Sequence, residues 1–228
     1  MNGILFHDKL ASQWSEGYLR RSFRARRSIF KKQIATHAQE GEYWLDLGCG
    51  TGVLSQDLLE QQVLVKAIDG SQNMLDRAQL EIPNRFRTKI NFEKADAHCL
   101  NGISTAEFDG AICSSVLEYS HNPNELMREL SRVVRPDGTL LISAPPPRSI
   151  VRNTQRVLRF LFLLLDKRKF DYLAVSKCEL SRRAMQELLS DNGFALEQTM
   201  SFDPIVPSIF RKVAPPSLLI HTARRTNA

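Results

Sequence analysis

An apolar run that breaks at once into alternating glycines constrains this chain more than any other feature. EYWLDLG, from Glu42 to Gly48, reads as a strand and TGVLSQDLLEQ, from Thr51 to Gln61, as a helix, so Gly48, Gly50 and Gly52 fall at the turn between them. Glycine lets the backbone turn tightly and approach a ligand, and the free N–H groups at the start of the helix face that ligand. Such a turn suits a nucleotide-type cofactor. Spacing narrows the choice: dinucleotide binders favour G-x-G-x-x-G/A, whereas these glycines run G-x-G-x-G and the sixth position is Val53. A branched side chain there crowds the helix–strand packing that the third dinucleotide glycine permits, which disfavours a nicotinamide oxidoreductase.

Beyond the glycines the pattern alternates. VLVKAID is a second strand, a helix starts near Ser71 as N-cap, KINFEKAD is a third strand and FDGAICSS a fourth. Asn122-Pro123-Asn124-Glu125 supplies an N-cap, a proline at the first helical position and a glutamate three residues past the cap. Arg135-Pro136-Asp137-Gly138 reads as a turn, TLLISA as a fifth and almost wholly apolar strand, and three prolines end it at Pro145. A helix from Ser181 to Asn192, closed by Gly193, precedes two last strands, FALEQTMSF and SLLIHTAR. The expected fold is α/β, a doubly wound, mostly parallel sheet with helices on both faces. One domain over 1–228 is expected, divided into an N-terminal helical cap (1–40), a core (41–145), a helical insertion (146–180) and a C-terminal helix with strands (181–228).

In a parallel sheet the chemistry sits at the carboxyl ends of the strands. Asp69 ends the second strand, about 20 residues after the first glycine, where a carboxylate accepts hydrogen bonds from ribose hydroxyls. Asp96 ends the third, and is either the partner of an adenine amine or a loop aspartate.

Charge is uneven. The net +6 comes largely from two stretches: Arg20, Arg21, Arg24, Arg26, Arg27, Lys31 and Lys32 in a segment with no acidic residue, and Arg148, Arg152, Arg156, Arg159, Lys167, Arg168 and Lys169. Such clusters attract phosphates or anionic head groups, or form the solvated face of a helix. Cys49, Cys99, Cys113 and Cys178 are scattered, with neither a C-x-x-C pair nor zinc-type histidine spacing, so no metal and no disulfide framework is expected. Cys49, small and inside the glycine loop, reads as packing. MNGILFHDKL lacks the basic and apolar regions of a secretory signal, and VLRFLFLLL (157–165) is shorter than the ~20 residues of a membrane span. A cytoplasmic location, with peripheral membrane contact through 148–169, is the expectation.

Taken together, LDLGCGTG, IDGSQNMLDRA, FDGAICSSVLEY and RVVRPDGTLLIS stand in an order that resembles the class I S-adenosylmethionine-dependent methyltransferases, especially the branch related to ubiquinone and menaquinone biosynthesis. The resemblance runs from about Tyr43 to Ala144. It implies a Rossmann-like seven-stranded sheet with an antiparallel last strand, and S-adenosyl-L-methionine as cofactor. It further implies that Asp46 and Gly48, Cys49, Gly50, Thr51 and Gly52 surround the methionine part, that Asp69 holds the ribose with Gly70, Ser71 and Met74 beside it, that Asp96 and Ala97 face the adenine, and that Ser114 completes the set.

The cofactor's methyl is already activated, so the protein contributes mainly alignment, and a base is needed only for a protonated nucleophile. Candidates follow the fourth strand: Glu118, Tyr119 and His121. Many relatives carry histidine where Tyr119 stands, and here the histidine comes two residues later. Trp14 and Tyr18 are acceptor-pocket candidates. The insertion, with its apolar run among basic residues, suits a small or lipid-like acceptor methylated on oxygen or carbon. Two alternatives stay open: a nucleic-acid methyltransferase, favoured by the basic N-terminal stretch but lacking an Asn/Asp-Pro-Pro-Tyr/Phe pattern, and a non-catalytic cofactor-binding protein.

Overall fold

The structure, a computed structural model, describes residues 3–6, 8, 11, 21–164, 170–203 and 215–227. A single seven-stranded sheet is its centre: β1 (Tyr43–Leu47), β2 (Leu64–Asp69), β3 (Ile90–Lys94), β4 (Phe108–Ser114), β5 (Val134–Ala144), β6 (Phe194–Phe202) and β7 (Leu218–Arg225), in the order β3-β2-β1-β4-β5-β7-β6. Pairing from β3 through β5 is parallel, and β7 alone runs against its neighbours β5 and β6. The expected Rossmann-like arrangement with an antiparallel last strand is therefore the observed one.

Beyond the helical residues 3–6, seven α-helices flank it among the described residues: α1 (Arg21–His37), α2 (Val53–Leu59), α3 (Gln72–Glu81), α4 (Pro123–Val133), α5 (Ile150–Leu164), α6 (Tyr172–Val175) and α7 (Arg182–Asp191). The sheet's pleat sends alternate side chains of β1 to opposite faces. Leu45 and Leu47 meet Leu126 and Leu130 of α4 and Met185 and Leu189 of α7, while Trp44 joins Phe30 and Ile34 of α1 and Leu54 and Leu58 of α2. Both layers are built of buried apolar side chains, at roughly 1.5–3 kcal/mol for each large side chain fully buried. Three helix starts behave as the sequence reads: Ser71, Asn122 and Ser181 each accept a hydrogen bond from the backbone N–H three residues on.

One expectation needs correction. Arg135–Gly138 is not a turn ahead of the fifth strand but lies inside it, because Val134 already pairs with Phe108 before Thr139 pairs with Gly110. The excess residues are taken up as a bulge with Asp137 at φ 62°, a left-handed conformation that aspartate tolerates.

The strand order positions the site. The chain fills the sheet outward from β1 to β3 and then returns to place β4 on the other side of β1, so the loops after β1 and β4 leave the sheet side by side. A Cβ on Gly48 would lie 2.1 Å from Cγ2 of Val116, which shows how closely these loops are pressed together.

Candidate functional site

The glycine loop is held by its neighbours. Gly48, Gly50 and Gly52 all have left-handed φ angles, of 73°, 54° and 77°. The N–H groups of Gly48 and Cys49 both donate to Ile68 O at the end of β2, at 2.7 and 3.0 Å, and Gly50 N–H donates to Asp69 Oδ2 at 2.9 Å. Asp69 Oδ1 accepts from Ser71 N–H at 2.8 Å, so one carboxylate ties the loop after β1 to the loop after β2. A carboxylate offers only acceptors, the chemistry that the two hydroxyls of a ribose diol require.

Asp46 lies on the Trp44 side of β1, 1% exposed, and accepts from Ser55 Oγ at 2.6 Å. Burial pushes its carboxyl up to about 7; the Ser55 hydroxyl opposes this, and the charges of Asp69 and Asp57 reinforce it. Thr51 is buried too, and its Oγ1 lacks a hydrogen-bond partner among the described residues. A buried, unsatisfied hydroxyl inside a loop of left-handed glycines fits a polar ligand lodged there. Burial, with Asp46 and Asp69 nearby, holds the Cys49 thiol well above its ordinary range, in keeping with packing and not nucleophilic use.

The described N-terminal residues lie across this region. Ser71 Oγ accepts from Met74 N–H and donates to Asp8 Oδ1 at 2.6 Å, and Asn73 Nδ2 donates to Asp8 Oδ2 at 2.9 Å. A Cβ on Gly70 would sit 2.8 Å from Ile4 Cδ1, and one on Gly3 would sit 2.9 Å from Tyr119 Cβ. The N-terminal residues thus bridge the ends of β2 and β4. Trp14 and Tyr18 lie outside the described residues.

Asp96, with 57% of its side chain exposed, follows β3, and its Oδ1 accepts from His98 N–H at 2.9 Å and meets His98 Nδ1 at 2.7 Å. Burial raises this carboxyl, but the His98 bonds outweigh it and leave the group below its usual range. Ala97 is partly buried beside it. Met74 is buried under the loop after β2. Ser114 closes β4, and its Oγ accepts from Arg26 of α1.

After β4 the chain makes a 3₁₀ turn, Leu117–Tyr119. Glu118 is buried against Arg152, whose Nη1 donates to Oε2 at 3.1 Å, and Ser176 Oγ donates to the same oxygen at 2.7 Å. Burial first, and then the charge of Glu118, pushes the Tyr119 phenol well above its ordinary value, so at neutral pH it keeps its proton. His121 is different in kind: 72% of its side chain is exposed, its ring lies 4.1 Å from that of His98, and Nε2 is 4.0 Å from Glu125 Oε2.

The structure thus brings Asp46, Gly48–Gly52, Asp69–Ser71 and Ser114 to the ends of β1, β2 and β4, with Asp96 and Ala97 after the adjoining β3. It leaves His121 at the rim. Sequence reasoning missed Ser55, His98, Ser120, Arg26 and Arg152. His98 stands two residues past Asp96 and was within reach of a local reading, whereas Arg26 and Arg152 were submerged in runs of like charge.

A family model described as a methyltransferase domain matches residues 45–142. The biotin biosynthesis bifunctional protein BioHC of Teredinibacter turnerae is 30% identical over 187 residues, covering 78% of this chain and 31% of that protein. The ubiquinone biosynthesis O-methyltransferase of Dechloromonas aromatica is 28% identical over 172 residues, covering 72% of this chain and 70% of that one. This chain therefore spans less than a third of the first relative's length. Magnesium protoporphyrin IX methyltransferase of Synechocystis PCC 6803, solved with bound SAH, superposes with a TM-score of 0.67 at 20% identity, over 99% of this chain and 89% of that one, a likeness of fold. With the ordered motifs, the β3-β2-β1-β4-β5-β7-β6 sheet and the domain match all in agreement, residues 45–142 form a methyltransferase domain, and the chain is similar in sequence and fold to the class I S-adenosylmethionine-dependent methyltransferases.

Proposed function

We propose that this protein transfers a methyl group from S-adenosylmethionine to a small or lipid-like acceptor, on oxygen or carbon, by in-line displacement. The observation that carries the reading is the convergence, at the end of β1, of three left-handed glycines, the unsatisfied Thr51 hydroxyl and the Asp69 carboxylate. Asp46, Gly48–Gly52 and Ser114 would hold the methionine part, Asp69 with Gly70, Ser71 and Met74 the ribose, and Asp96 and Ala97 the adenine. When bound, the cofactor supplies an activated methyl on a sulfonium that departs as a neutral thioether. The protein's share is alignment and exclusion of water, with the N-terminal residues over Gly70 and Tyr119 as the cover. Tyr119 serves as a wall and hydrogen-bond donor. His121 serves as a base only for an acceptor whose proton reaches the rim.

Helix α5 supports a hydrophobic acceptor and peripheral contact with a membrane surface. Its inward residues are largely polar: Arg152 bonds to Glu118 and Ser176, Gln155 accepts from Tyr172 Oη at 2.5 Å, and Arg159 meets Asp171 at 3.3 Å. Its outward face carries Val157, Leu158, Phe160, Leu161, Leu163 and Leu164, all exposed. An amphipathic helix turned inside out in this way suits an apolar ligand or a lipid surface. No helix among the described residues is long and apolar enough to cross a membrane.

The basic N-terminal stretch gives the nucleic-acid reading less support than its sequence suggests. Arg27 is spent on Asp57 in a two-pronged pair at 2.8 and 3.0 Å, and Lys31 on Glu60 at 2.6 Å, so both neutralise α2. The test is incubation with methyl-labelled S-adenosylmethionine and fractionated cell extract. Label in the lipid or small-molecule fraction is expected. Label confined to RNA would replace this reading with the nucleic-acid one, and calorimetric cofactor binding without any labelled product would favour a non-catalytic role.

A further inference from the structure

A chain of side chains links the end of β3 to the start of α4. Asp96 Oδ1 is held twice by the same residue, through the backbone N–H of His98 and through its Nδ1. On the other edge of that ring, His98 Nε2 lies 2.7 Å from Ser120 Oγ, and Ser120 Oγ accepts from Asn122 N–H at 3.1 Å. The donors and acceptors permit one consistent assignment for the neutral ring. With the proton on Nδ1 facing the carboxylate, Nε2 is an acceptor, and the serine hydroxyl, already accepting from Asn122, donates to it. His121 covers the ring at 4.1 Å.

The geometry has a direction. All the contacts from His98 fall on Oδ1, while Asp96 keeps more than half of its side chain exposed. An aspartate just past a strand end otherwise turns freely about two torsions, and ordering it on ligand binding costs conformational entropy. His98 removes much of that cost by fixing the carboxylate plane before a ligand arrives, and Ser120 fixes His98 in turn. Because Ser120 is buried and sits two residues before Asn122, the N-cap of α4, the clamp is anchored on a rigid helix start.

We propose that His98, braced by Ser120, is a positioning residue that presents Asp96 Oδ2 to the exocyclic amine of the cofactor's adenine. This rests on the reading of Asp96 as the adenine partner and adds to it a specificity device: a clamped acceptor selects a 6-amino purine over a 6-oxo one, which offers a carbonyl to the carboxylate.

The test is calorimetric binding of S-adenosylhomocysteine and of its 6-oxo counterpart, S-inosylhomocysteine, to wild type, His98→Ala, His98→Asn, Ser120→Ala and Asp96→Ala, with thermal melts to verify folding. His98→Ala should weaken the adenosyl ligand about tenfold and leave the inosyl ligand within twofold. His98→Asn should restore most of the loss, since its amide N–H reaches the position of Nδ1, and Ser120→Ala should cost about threefold. Equal weakening of both ligands by His98→Ala, or no weakening of the adenosyl ligand, would overturn the proposal. Asp96→Ala separates the two layers. If it discriminates between the ligands and His98→Ala does not, only the clamp fails, and if it treats them alike, the adenine reading itself fails. Should His98→Ala not fold, Ser120→Ala carries the test: weakening of the adenosyl ligand alone supports the clamp, and equal weakening of both ligands or none refutes it.

Discussion

Replacing Asp46 by asparagine should flatten the pH dependence of the ligand-free protein's stability. The carboxyl is 1% exposed, and burial holds its pKa at about 7. In the unfolded chain an aspartate titrates near ~3.9, so between these values the unfolded protein has released a proton that the folded one retains. With the folded pKa raised, the favourable contribution is complete below the unfolded value and is lost as pH climbs through the folded one. Three decades at about 1.4 kcal/mol each make the loss about 4 kcal/mol, a large part of an ordinary domain's ~5–15 kcal/mol. Roughly 2.5 kcal/mol of it falls between pH 5 and pH 8. Asp46→Asn keeps a carbonyl acceptor for the Ser55 hydroxyl and has no proton to lose. Urea unfolding of both proteins at pH 5 and pH 8 is the assay, and the variant should gain about 2.5 kcal/mol on wild type over that interval. Burial lowers His221 to about 4, and that histidine pulls the opposite way as pH rises toward ~6.5, but it is present in both proteins and cancels. Parallel profiles would refute the reasoning.

Two further outcomes bear on the site and its surroundings. Asp69→Ala, which removes both the ribose acceptor and the brace on Gly50 and Ser71, should weaken S-adenosylmethionine binding by about two orders of magnitude, against less than twofold for His121→Ala; equal effects in calorimetry count against the ribose assignment. Arg152→Ala strands the buried Glu118 carboxylate, so urea melts should show a loss of about 3 kcal/mol or more, with the double replacement Arg152→Met, Glu118→Gln recovering most of it; a loss under about 1 kcal/mol would mean that this pair does not secure α5.

The insertion shows where periodicity stops being informative. VLRFLFLLL announces a helix with apolar material on it, and the helix is there. Its orientation is not written in the run. Polar residues at 152, 155 and 159 turn inward because Glu118, Tyr172 and Asp171 wait for them, partners contributed by other parts of the chain. The basic stretch of α1 teaches the same thing: Arg27 and Lys31 look like a solvated face until α2 supplies Asp57 and Glu60.

What the amino-acid order determined unaided is whatever closes within a few residues: the strand–glycine–helix turn, the caps at Ser71, Asn122 and Ser181, and the alternation that makes a parallel sheet. These are hydrogen bonds and side-chain spacings along one element, and they depend on nothing distant. Which strand ends lie together was decided only by the sheet's order, a property of the whole core. Arg26 meets Ser114 across 88 positions, Glu118 meets Arg152 across 34, and His98 meets Ser120 across 22. Such contacts cost loop-closure entropy that only the collective burial of the two apolar layers offsets, so no local pattern encodes them.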